Sequence, residues 1–99
     1  MSDDAIQAIR TLAGSMRDLQ QRAAQELAPV VDDILRANSQ DVRHIEHTLD
    51  RLLDFCGYGL VLEMYKKLCR HYWGIDPAAT ADYVNAYREY WDGEVQHRH

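Results

Sequence analysis

A chain of 99 residues, 46% hydrophobic and 27% charged, is long enough for one globular domain, too short for two and too apolar for disorder. Its formal charge of −5 excludes a general phosphate-backbone binder, which needs a basic face, so nucleic acid is not an expected partner. The charge is uneven: residues 1–54 carry 6 Lys/Arg against 10 Asp/Glu, and residues 55–99 carry 5 against 6.

Met1, Ser2, Asp3 and Asp4 lack the basic and apolar regions of a signal peptide, and no apolar run approaches the roughly 18 residues that span a bilayer. The expectation is a cytoplasmic protein with no membrane partner. Cys56 and Cys69 stand thirteen apart in no paired motif, which reads as two reduced thiols.

Strand signals are nearly absent, and Ala, Leu, Gln, Glu and Arg dominate, so the chain reads as helices throughout. The first begins near Ser2 or Asp3. Its apolar residues, Ile6, Ile9, Leu12, Met16, Leu19, Ala23, Leu27, Val30, Val31 and Ile34, recur every three or four positions. That is a thin stripe, wide enough for one neighbour. Pro29 has no amide hydrogen and predicts a kink or a new helix there. Asn38, Ser39 and Gln40 mark the clearest break, with Asn38 or Ser39 as a cap for the next helix.

From Asp41, the residues Val42, Ile45, Leu49, Leu52, Leu53 and Cys56 fall within about a 100° arc, a well-formed amphipathic face. Gly57 and Gly59 predict a kink, a close crossing or a short turn. Residues 60–73 then carry apolar side chains over about 220° of the helical wheel, leaving Glu63, Lys66, Lys67 and Arg70 as a narrow polar strip. Such a helix should be surrounded. Gly74 predicts its end as a C′ residue, and Asp76 with Pro77 predicts the next start as N-cap and N1. The last helix, near 77–92, places Tyr83, Val84, Tyr87, Tyr90 and Trp91 on one face. The short link makes the last two helices antiparallel, with Tyr72 near Tyr83 and Tyr65 near Tyr87 or Tyr90.

The fold expected is all-α: a small antiparallel bundle of three long kinked helices, or four to five shorter ones, with an aromatic-rich C-terminal pair. It forms a single domain over 1–93, followed by a flexible polar tail at 94–99.

Every aromatic residue lies between Phe55 and Trp91, and Tyr58, Tyr65 and Tyr72 recur at a spacing of seven. These tyrosines with Trp73 are candidates for a partner interface, because Tyr and Trp are enriched both in cores and in interface hot spots. Lys66, Lys67 and Arg70, the only basic cluster, read either as a solvated strip paired with acidic neighbours such as Asp32 and Asp33 or as a partner contact for an acidic segment or a phosphate.

Candidate metal ligands are His44, His47 and His71. His44 and His47 accompany Asp41, Asp50 and Asp54 at helical steps, yet they lie away from the apolar face, whereas bundle ligands point inward. His71 sits at the margin of the basic strip. No catalytic motif is present, and the two thiols lie on apolar arcs where a thiol is inert.

The function expected is a non-catalytic interaction module, such as an adaptor, an inhibitor of immunity type or a chaperone-like partner of a larger protein. It acts as a homodimer through the 6–34 stripe or the 60–73 arc, with no cofactor. The alternative is a metal- or small-ligand-binding bundle, enzymatic through His and carboxylate side chains.

Overall fold

The computed structural model describes residues 2–91 and is helical, with no strand among them. Four helices follow in order: α1 Ser2–Ala37, α2 Val42–Leu53, α3 Gly59–Trp73 and α4 Pro77–Trp91. The expected tail at 94–99 lies outside the described residues.

α1 continues through Pro29 as one helix of 36 residues; no new helix starts there. It ends in a Schellman motif. Asn38 takes a left-handed φ of 49°, its amide donates to the Leu35 carbonyl, and the Ser39 amide donates to the Ile34 carbonyl. Asn38 therefore closes α1 rather than opening α2. The N-cap of α2 is Asp41, whose Oδ1 accepts from the His44 amide at 3.3 Å, while Ser39 Oγ accepts from the Asp41 amide.

Between α2 and α3 the chain makes a short turn. The amides of Phe55, Cys56 and Tyr58 each donate three residues back, so Gly57 lies in this turn and Gly59 opens α3. A Cβ on Gly57 would lie 2.8 Å from the Trp91 ring, and Trp91 Nε1 donates to the Leu53 carbonyl at 3.0 Å. The end of α4 is thereby fastened over the α2–α3 turn.

Gly74 caps α3 with a right-handed φ of −68°, so the left-handed C′ conformation expected of it is not used. Its amide and those of Ile75 and Asp76 bond back to His71 and Tyr72, turning the chain within α3's own last carbonyls. Asp76 Oδ1 then accepts from the Ala79 amide at 3.0 Å, as an N-cap before Pro77 should.

The core joins Leu27, Val31 and Ile34 of α1, Ile45, Leu49 and Leu52 of α2, and Val61, Tyr65, Leu68 and Tyr72 of α3. α3 touches each of the other three helices. α4 buries only Thr80 fully, with Tyr83 and Tyr87 half-buried against the cluster. Buried Thr48 and Thr80 each donate to the carbonyl four residues earlier, and Cys56 Sγ does the same toward Leu52. Burial therefore leaves none of these three side chains unsatisfied.

Candidate functional site

The tyrosine ladder divides between core and edge. Tyr58 is the half-buried N-cap of α3. Tyr65 is buried, and its hydroxyl donates to the Tyr83 carbonyl at 2.7 Å. Tyr72 is fully buried at 0% exposure, with its hydroxyl donating to the Glu46 carboxylate. The rings of Tyr65 and Tyr87 are 6.2 Å apart, and those of Tyr72 and Tyr83 are 6.4 Å apart at an edge-on 64°. Burial, followed by the bond to Glu46, raises the Tyr72 hydroxyl above its ordinary pKa. Burial dominates likewise for Tyr65, and for Tyr83 with Asp50 as its second cause. All three stay neutral and serve as packing groups with satisfied hydroxyls. Within one chain, Tyr65 and Tyr72 have no surface to offer a partner.

The exposed aromatic of the series is Trp73, at 57%. It borders a groove of about 420 Å³ between α3 and α4, whose apolar wall includes Leu62, Cys69, Val84 and Tyr87. Lys66 and Arg70 reach this groove from α3, and Arg88 reaches it from α4. Lys67 points elsewhere, to a second cavity of about 390 Å³ between α1 and α3 that also holds Asp32 and Glu63. The basic strip is thus split between two grooves: one with cations only and one of mixed charge. Lys66 has a loose contact with Glu63 at 3.8 Å, and among the described residues neither Arg70 nor Arg88 is in an ion pair.

The second open surface lies on α1. Ile6, Ile9, Leu12, Met16 and Leu19 are all exposed, at 44–66%, whereas the same stripe from Ala23 to Ile34 enters the core. The neighbouring flank positions are Ala8, Ala13, Ser15 and Gln20, small or uncharged, which allow a second helix to approach closely.

The histidines do not converge. His44 and His47 are exposed on α2. A ring nitrogen of His71 lies 2.7 Å from the Ser39 carbonyl, tying α3 to the α1–α2 link. Among the described residues, no three His, Cys, Asp or Glu side chains gather as metal ligands would. Both thiols are free and buried, and burial pushes Cys56 up to about 12 and Cys69 up to about 11, far from a nucleophile's range.

Arg88 and Val84 were not among the candidates expected from sequence. Their steps from Thr80 carry a helical period, but which face of α4 meets α3 depends on the rotation between the two helices. Among the described residues, no helix is long and apolar enough to cross a membrane. No protein-family model, curated protein or solved structure matches this chain.

Proposed function

We propose that this chain is a non-catalytic protein-interaction module of the cytoplasm, an antiparallel helical bundle that pairs with a second copy of itself through the free half of α1. The antiparallel course of α3 and α4 is supported by the ring contacts Tyr65–Tyr87 and Tyr72–Tyr83, which run in opposite senses along the two helices. A cytoplasmic place is supported by two free thiols in a net acidic chain.

The observation that carries the proposal is the bare stripe of Ile6, Ile9, Leu12, Met16 and Leu19. Five large apolar side chains in helical register on one element form a contiguous patch of the kind that marks an interface. Covering them on each of two copies is worth on the order of 10 kcal/mol before association costs of similar size. The pairing is therefore concentration-dependent rather than permanent.

Light scattering on the full chain across a dilution series tests this. The wild type should shift from dimer to monomer on dilution. Leu12→Asp with Met16→Asp should be monomeric throughout and keep its helical circular dichroism, because neither side chain is part of the core. A wild type that stays monomeric at hundreds of micromolar, or a dimer indifferent to both substitutions, overturns the proposal.

A further inference from the structure

The α3–α4 groove has a chemistry distinct from the α1 stripe. Its wall is apolar, and its cations, Lys66, Arg70 and Arg88, come from both helices with no acid among its lining residues. Two of the three lack an ion pair among the described residues, in a protein whose formal charge is −5. A net acidic chain that collects positive charge beside an apolar groove presents the complement of an anionic, apolar guest.

The shape decides what kind of guest. Trp73 and Val84, which border the groove, are themselves 57% and 40% exposed. A small molecule would leave much of its own surface wet there, whereas drug-sized ligands are largely enclosed in their sites. Along α3 the groove runs from Leu62 to Trp73, about 16 Å at 1.5 Å per residue, or three helical turns. That length suits a helix with apolar anchors at i, i+3 or i+4, and i+7, its flanks resting on the basic lips. The free arm of a second copy fits poorly. Outward from its uncharged flank positions the stripe has Arg10 and Arg17 on one side and Arg22 with Asp4 on the other, so the arm offers Lys66, Arg70 and Arg88 no net acidic flank.

We propose that the α3–α4 groove receives an acidic amphipathic helix from a partner protein, with Leu62, Val84 and Tyr87 taking its apolar anchors and Lys66, Arg70 and Arg88 pairing with its carboxylates. This deepens the interaction-module reading but is independent of the dimer, since the stripe and the groove lie on different helices. The module is then bifunctional: α1 joins copies, and each copy presents a groove.

Selection from a displayed library tests it. The probes are helices of about four turns with Leu fixed at i, i+3, i+7 and i+10 and flanking positions drawn from Glu, Gln and Lys, panned against the full-length wild type. The recovered helices should be enriched in Glu at the flanks. Their affinity should fall at least about tenfold in Arg70→Glu/Arg88→Glu and in Val84→Asp, and should weaken steeply with salt. Lys-flanked counterparts should prefer the charge-reversed protein.

No recovered helix, binders without acidic bias, or binders indifferent to those three substitutions would overturn the proposal. So would stoichiometric dodecanoate binding, read by Trp73 emission, in the absence of any helix binder. Binders that protect Ile9 and Leu12 instead would show that the guest sits on α1. Each of these results can be obtained whether or not the dimer forms, so failure of the groove and failure of the dimer stay distinguishable.

Discussion

Cys56 and Cys69 show how position sets reactivity. Each ionises less readily in the fold than at the ordinary value of 9.0, burial being the main cause, with the charge of Cys69 adding to the shift at Cys56. The unfolded chain gives up these protons first, so deprotonation favours unfolding. The contribution to stability is complete at neutral pH and declines as pH rises from about 9 toward 11 and 12. Melting followed by circular dichroism should give a flat Tm from pH 7 to about 8.5 and a falling one above about 9. At pH 8, iodoacetamide should leave both thiols unmodified by mass spectrometry until denaturant is added. The inertness of these residues was legible in their apolar arcs. What burial does to Tyr72 was not, because its partner Glu46 lies 26 positions away and on another helix.

Among the elements, α1 raises the sharpest question, since a helix of 36 residues runs through Pro29. The proline removes the bond to the Gln25 carbonyl and crowds it, an interior defect of about 3 kcal/mol. Pro29 is exposed, so its ring contributes little packing in return. Pro29→Ala should accordingly raise stability by about 1–3 kcal/mol in urea titrations at fixed protein concentration. Helix type and most boundaries followed from periodicity and from the breaks at 38–40 and 57–59. The caps were harder to place. Asn38, Ser39 and Asp41 are all competent caps, and the choice fell to Asp41 because the Schellman turn of α1 consumes Asn38 and Ser39.

For the molecule as a whole, length governs exposure. α1 is about 54 Å long, against roughly 18 Å for α2 and 22 Å for α3. Two short helices cannot cover it, and the longest dimension of the fold, 56 Å, is the length of α1 itself. The radius of gyration of 16.4 Å exceeds the about 13 Å of a compact chain this size for the same reason. The α1 stripe looks uniform from Ile6 to Ile34 in sequence, so periodicity alone does not say which half enters the core. The element lengths do. Deleting residues 2–19 should change unfolding free energy by less than about 0.5 kcal/mol when both proteins are diluted to monomers. Small-angle scattering of that shortened chain should give a radius of about 12 Å.

The two tryptophans divide this small fold between them. Trp73 stands at the open groove, while Trp91 lies over Gly57 with its indole bonded to the Leu53 carbonyl. With Trp91→Phe, emission reports only on what enters the groove. With Trp73→Phe, it reports only on whether α4 has let go of the α2–α3 turn. The chain thus carries two built-in optical probes, one for occupancy and one for unfastening, at separate places on the same pair of helices.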